Sequence, residues 1–314
     1  MNFYFAFPIR WFFWLLVLVL SGCSTYPQSA DQFSTENLKK LHSLYAPVQN
    51  GHIEYYRLGS GSPIILIPGY VTDISSWNRE FLAALAQQHQ VIVLNNRNVG
   101  GSFVQSSHYE SQDLANDIYQ LIQTLNLKKP AILGLSMGGM IAQQLAVLHP
   151  DKIGQLILLN TAIAGKQAVH PSAAVEKRML AMPKNKLERY LVAVELFFPP
   201  SWRMQMAYAL AVDRFQPENY KEIDPATILS QQRHLVMRWT NDNATAKKIK
   251  KLDLPVLILN GSADIVIPPI NSIILARTIL HAQLVRWKEG GHAMIYQYPD
   301  QIANTVNNFL AETS

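Results

Sequence analysis

Apolar residues fall into two patterns along this chain. Short uninterrupted runs recur: "IILI" (Ile64 to Ile67), "VIVLN" (Val91 to Asn95), "AILGL" (Ala131 to Leu135), "LILLN" (Leu156 to Asn160) and "VLILN" (Val256 to Asn260). Runs this short and this continuously apolar suit parallel strands covered on both faces. "AQLVRW" (Ala282 to Trp287) is a weaker sixth, and Ile53 to Leu58 reads as a strand entered from a hairpin-type turn at Asn50-Gly51. Between the runs lie segments with helical spacing. Ser76 can cap a helix over Trp77 to Gln88; "DLANDIYQLIQTL" sets Leu114, Ile118, Leu121, Ile122 and Leu125 on one face; "MIAQQLAVL" and "QIANTVNNFL" follow the same rule. Alternating strand and helix predicts an α/β fold with a doubly wound, mostly parallel sheet.

One gap breaks the alternation. Residues Lys166 to Lys251 carry helical patterning without a convincing strand and are rich in Met, Phe, Tyr and Trp. A helical insert with its own core is expected there, placed as a cap with one apolar face turned down onto the sheet. The expected organisation is a core of residues 51–165 and 252–314, a cap of residues 166–251, and a polar tether of residues 23–50 with a short helix around Asn37 to Leu44. Residues 1–22 stand apart.

The composition, 49% hydrophobic and 16% charged over 314 residues, is that of an ordinary globular protein. The formal charge of +5 is spread along the chain. Its densest cluster, "AKKIKK" at Ala246 to Lys251, reads as a solvated helix end, so nucleic acid is not an expected partner. The single cysteine excludes an intramolecular disulfide framework and a cysteine-based zinc site. Its position says more. Arg10 and the terminal amine precede an apolar stretch, Trp11 to Leu20, followed by the small residues Ser21 and Gly22: the layout of a secretory signal. "LSGC" (Leu20 to Cys23) resembles the lipobox of bacterial lipoproteins. That resemblance implies cleavage before Cys23, acylation of its thiol, and a mature chain held to a membrane and facing the periplasm. Ser24, rather than Asp, after the cysteine implies the outer membrane. Acyl chains, not a basic patch, would then hold the protein to the bilayer.

The stretch "AILGLSMGGMIAQQL" turns from strand to helix through a corner of small residues that holds one hydroxyl, Ser136. A corner at the carboxyl end of a buried parallel strand delivers its side chain to the edge where ligands bind. The turn forces strained backbone angles, and side chains at Gly134 or Gly138 would collide with neighbouring elements. At the following helix N-terminus the Met137 amide is placed to stabilise an oxyanion. A serine needs a base. Of the nine histidines, His292 lies in a Gly-Gly loop after the last expected strand, at the same sheet edge. The others, His42, His52, His89, His108, His149, His170, His234 and His281, fall in helices, helix ends, the tether or the cap. The base needs an acid to hold its tautomer, and Asp264 follows "VLILN" in a polar loop, whereas Asp253 precedes that strand at the wrong edge. A second oxyanion donor is expected from the loop after the first buried parallel strand, where Gly69 admits a close backbone approach and Tyr70 offers its N–H.

These stretches together resemble the α/β-hydrolase family over most of Gly51 to Leu310. "LIPGY" is similar to its oxyanion loop, "LNNRNVGGS" to its Asp-x-Arg-Gly-x-Gly-x-Ser loop, "GLSMGG" to its nucleophile elbow, "GSADIVIP" to its acid loop and "GGHAMIYQYPDQI" to its histidine loop. Pro68 stands where many members have His, and Asn95 and Asn98 replace the usual Asp and Gly around Arg97. The resemblance implies a serine hydrolase with the triad Ser136, Asp264 and His292, the oxyanion amides of Tyr70 and Met137, an acyl-enzyme, and no metal or cofactor. Carboxylic esters, lipid esters included, are the expected substrates. C–C bond hydrolysis, iminopeptidase action and non-catalytic binding in the envelope remain open alternatives.

Overall fold

The computed structural model describes residues 35–106, 108–181, 183 and 185–313. The expected signal segment and Cys23 lie outside the described residues. Among those residues, no helix is long and apolar enough to cross a membrane.

Every apolar run becomes a strand: β3 (Ser62–Ile67), β4 (His89–Leu94), β6 (Ala131–Leu135), β7 (Leu156–Leu159), β8 (Val256–Gly261) and β9 (Ala282–Trp287). Ahead of them lie the helix α1 (Thr35–Lys39) and the hairpin β1 (Leu44–Val48) and β2 (Gly51–Leu58); the two-residue strand β5 (Phe103–Val104) also pairs with β2. The sheet order is β1-β2-β4-β3-β6-β7-β8-β9. The six runs pair in parallel, and β2 is antiparallel to its neighbours. Successive residues of one run feed opposite faces of the sheet. Ile65, Ile67, Ile92, Leu94 and Ile132 belong to one core; Ile64, Leu66, Val91, Val93 and Leu133 belong to the other. The first core is closed by α3 (Ser111–Thr124), α4 (Met137–Leu148) and α10 (Ile270–Thr278), and the second by α2 (Arg79–Ala86) and α11 (Pro299–Glu312).

Four expectations need correction, the first being the short helix around Asn37 to Leu44: it ends at Lys39, and Leu44 starts β1. The stretch taken as a tether, residues 23–50, contains β1. Its alternation is carried only by Ala46 and Val48, which are buried against the sheet, while Pro47 between them suppresses a strand signal. An edge strand tolerates that proline because one of its backbone sides needs no ladder partner. The hairpin turns at Gln49 and Asn50, with Asn50 at φ 66°, one residue earlier than expected. Ser76 does not start α2. It closes a 3-10 turn (Ile74–Ser76) on Asp73, and Asn78 caps α2 instead by accepting from the Phe81 amide at 2.9 Å.

Two features put the site where it is. Strand β3 neighbours β4 on one side and β6 on the other, so the strand order reverses there and opens a crevice at the carboxyl ends of β3 and β6. Among the described residues, the insert between β7 and β8 folds as five helices over that crevice: α5 (Ala173–Leu180), α6 (Lys186–Phe197), α7 (Arg203–Val212), α8 (Pro225–Trp239) and α9 (Asn243–Ile249). Below the crevice the loop after β4 is fixed from both departures. Asn95 accepts from the Ile74 amide at 2.9 Å and donates to Glu54 at 2.6 Å, and Asn98 takes the φ of 59° that a glycine would otherwise supply. Arg97 between them makes a two-pronged ion pair with Asp117 of α3 at 2.8 Å, both side chains buried.

Arg97→Leu leaves the Asp117 carboxylate buried without its partner. A loss of about 3–5 kcal/mol is expected in chemical denaturation, with most of it recovered in the Arg97→Leu, Asp117→Leu double variant. Equal losses in the single and double variants would show that the pair does not hold this loop.

Candidate active site

Ser136 caps α4 with φ 56° and ψ −119°, a combination that costs a non-glycine residue strain energy and is held only by its surroundings. Those surroundings are mainly backbone. Its amide donates to the Leu159 carbonyl at 2.9 Å, and its carbonyl accepts from the Thr161 hydroxyl at 2.7 Å. A Cβ at Gly134 would stand 2.3 Å from the Gly138 carbonyl oxygen, and one at Gly138 would stand 2.1 Å from that of Ile67. The small residues of the corner are there for contact between main chains.

Strands β8 and β9 bring the other two predicted residues together. Asp264 is fully buried and its Oδ1 accepts from the Val266 and Ile267 amides at 2.8 and 2.9 Å. Its Oδ2 meets His292 Nδ1 at 2.8 Å. An ionised carboxylate only accepts, so Nδ1 carries the proton and Nε2 is left as the basic nitrogen. His292 and Ser136 line one cavity of about 320 Å³ under the cap. The loop after β3 reaches the same place, where a Cβ on Gly69 would lie 3.3 Å from Ser136 Cβ. Tyr70 follows Gly69 in that loop, and Met137 is the first residue of α4, so the two amides expected as oxyanion donors flank the serine. The arrangement can deliver a hydroxyl nucleophile, a base with a fixed tautomer, and two amides for developing negative charge. Among the described residues, no group of three or more His, Cys, Asp or Glu is placed to hold a metal ion.

The cavity wall is mainly apolar, including Leu135, Met179, Leu196, Phe197, Leu210 and Val266. Arg178, Arg189 and Arg214 also line it, Arg178 paired with Glu195, Arg189 donating to the Pro183 carbonyl and Arg214 to that of Ser75. Burial pushes the Tyr70 hydroxyl up to about 12, which keeps it neutral at ordinary pH. Of the other histidines, His52 and His89 sit in β2 and at the start of β4 rather than in a tether or a helix end.

Four residues that hold the site escaped the sequence. Asn160, fully buried at the end of β7 with φ 45°, donates to the carbonyls of Gly291 and His292 at 3.0 and 2.7 Å and accepts from the Gly261 amide at 3.0 Å. It ties the acid strand to the histidine loop. Gln297 accepts from the Gly291 amide at 2.7 Å and fixes the same loop from α11's side. Phe197 ends α6 with its ring 5.6 Å from that of His292. Gln232, fully buried on α8, accepts from the Val71 amide at 2.5 Å. Val71 follows Tyr70 and has φ 52°, an outlier for a β-branched residue. A cap helix therefore holds the turn that aims the Tyr70 amide. The only early signal was the asparagine that ends each of the runs "LILLN" and "VLILN".

The model of the alpha/beta hydrolase fold family matches residues 62–299, three quarters of the chain and every element of the site outside the N-terminal hairpin. The chain belongs to the alpha/beta hydrolase fold family. This hydrolase is 27% identical over 267 residues to the 2-hydroxymuconate semialdehyde hydrolase of Pseudomonas sp. (strain CF600), covering 81% of this chain and 88% of that one. The alpha/beta hydrolase fold protein from Chitinophaga pinensis superimposes with a TM-score of 0.75 at 22% identity, over 87% of this chain and 98% of the other. A thermophilic esterase from Thermogutta terrifontis gives 0.69 at 23% identity, over 87% and 98%. At that identity the two structures speak for the fold alone.

Labelling of Ser136 by a fluorophosphonate reads the site without a known substrate. Asp264→Asn is expected to slow labelling by about 10⁴-fold by stranding the wrong tautomer. Gln232→Leu, which keeps the volume but not the acceptor, is expected to slow it by about 10²-fold through a misplaced donor, in a chain that still unfolds in one cooperative transition. Labelling of Gln232→Leu at the parent rate would detach the cap from the oxyanion loop.

Proposed function

We propose that this hydrolase cleaves carboxylic esters through an acyl-enzyme on Ser136, while anchored to a membrane of the cell envelope by acyl chains on Cys23. One observation carries the catalytic part: the buried Asp264–His292 pair opens into the same cavity as a serine held at an unfavourable φ. His292 Nε2 takes the Ser136 proton as Oγ attacks the ester carbonyl. The tetrahedral oxyanion is met by the Tyr70 and Met137 amides, each worth about 2.7–4 kcal/mol in the transition state. His292 then returns the proton to the departing alcohol. Water, activated by the same nitrogen, releases the acid. The apolar wall under the cap favours an apolar acyl group, and the volume of about 320 Å³ suits a short or medium chain. The localisation rests on the lipobox-like "LSGC" and on Ser24, which favour an outer-membrane lipoprotein facing the periplasm.

A second reading, hydrolysis of a C–C bond, draws on the relative named as a 2-hydroxymuconate semialdehyde hydrolase. It also draws on the guanidinium groups among the residues that line the cavity, any of which could take a substrate carboxylate.

Two measurements test these readings. A chain beginning at Ser24 keeps every described element. It is expected to turn over p-nitrophenyl esters with a preference for short or medium acyl chains, and Ser136→Ala should remove that turnover. Labelling of Ser136 with no ester turnover at any length would sink the esterase and favour the C–C hydrolase. The full chain purified from membranes should have the mass of a chain cut before Cys23 and acylated on it; an unmodified thiol would overturn the anchor.

A further inference from the structure

The outer face of the cap is apolar. From Met204 to Val212, α7 has no charged residue, and Met204, Tyr208 and Val212 stand 92%, 72% and 41% exposed at spacings of four. On α6, Leu187 and Leu191 are 64% and 55% exposed at the same spacing. The two stripes form one surface. Tyr190 of α6 bonds the Ala207 carbonyl of α7, and Arg203 reaches the Glu195 carbonyl, so the helices run antiparallel. Counting about 100° per residue from that contact, Leu187 and Leu191 on one helix and Met204 and Tyr208 on the other turn to the same side. Exposed apolar side chains gathered this way on one face mark an interaction surface.

We propose that this face docks on a phospholipid bilayer. Two further observations select that occupant. The first is where the N-terminal segment leaves the fold: the Lys39 carbonyl at the end of α1 accepts from the Glu218 amide, just past α7. From Cys23 to Thr35 the chain can span at most about 40 Å. A membrane anchor at Cys23 therefore keeps the bilayer within reach of α7; this part rests on the proposed acylation. The second is charge. Residues 166–251 carry fifteen Lys and Arg against eight Asp and Glu, so the cap holds all of the chain's net positive charge. Anionic headgroups complement it, and the apolar stripe would sit in the boundary between headgroups and acyl chains. The cavity beneath α6 and α7 would then take its esters from the membrane.

The test uses the full chain in vesicles of phosphatidylethanolamine and phosphatidylglycerol, with a nitroxide attached through Tyr208→Cys or, as a control at the opposite edge of the sheet, Lys128→Cys. Spin relaxation by oxygen against a water-soluble nickel complex reads depth. The label at 208 is expected about 5–10 Å into the headgroup and acyl boundary, and the label at 128 in water. Adding Leu191→Glu and Met204→Glu should lift position 208 into water. Equal water exposure at both positions would overturn the docking. So would dipolar broadening at 208 in detergent and vesicles alike, which would assign the face to a second copy of the chain. The parent chain, whose only thiol is Cys23, is treated alongside. Labelling there would refute acylation, while position 208 still reports whether the face is immersed.

Discussion

The contact between two main chains at the corner after β6 is the constraint on which this molecule depends. α4 can approach β3 closely only because Gly138 has no side chain to meet the Ile67 carbonyl, and it can fold back on its own strand only because Gly134 has none. With those approaches made, the chain between strand and helix has no route except one that puts Ser136 at φ 56°. Strain at that residue is the consequence of packing on both sides of it, and the exposed hydroxyl and the Met137 amide follow from the strain. The same approach brings Gly69 against Ser136, so the two expected oxyanion donors are set by one contact.

The rest of the site is held to that corner by hydrogen bonds that run across the sheet. Asn160 and Thr161 follow the neighbouring strand. One binds the histidine loop and the acid strand, and the other binds the Ser136 carbonyl. Ser136, Asp264 and His292, the proposed nucleophile, acid and base, sit on three different strand ends, and these two residues lock the ends in register. An apolar residue at 160 would leave the amide of Gly261 and the carbonyls of Gly291 and His292 without a partner in a place water does not reach, a penalty of about 1–3 kcal/mol for each group.

What the sequence made legible is what short-range pattern controls. Unbroken apolar runs mark β3, β4, β6, β7 and β8 because strands covered on both faces need no polar position. Ser136, Asp264 and His292 could be found because each sits one loop beyond such a run. The residues that escaped are defined by partners far away in the chain. Gln232 acts on Val71 with no local signature, and Asn160 acts on His292 with only its place at the end of a run to mark it. β1 was missed because its inward alternation comprises two residues with Pro47 between them. The start of α2 was misplaced because Ser76, a sound cap in isolation, is consumed by the turn on Asp73.

The cap has two sides with different tasks, and α6 takes part in both. Its C-terminal end places the Phe197 ring beside His292, and the Phe197 carbonyl lies where any side chain at Gly291 would have to go. Its outer face carries Leu187 and Leu191. Further along, α8 supplies Gln232 to the turn just after Tyr70. A force on the outside of the cap is therefore felt by the base through α6, and by the oxyanion donor through α8 if the helices move as one layer. Docking that seats the cap would stabilise the positions of Phe197 and Gln232 that the site requires. A cap lifted from the sheet would free Val71 to relax from its positive φ and draw the Tyr70 amide away. The strained valine makes the seated state a condition for the proposed donor's aim, which would give the proposed membrane-bound form of this hydrolase a physical route to a better-formed site than a detached form.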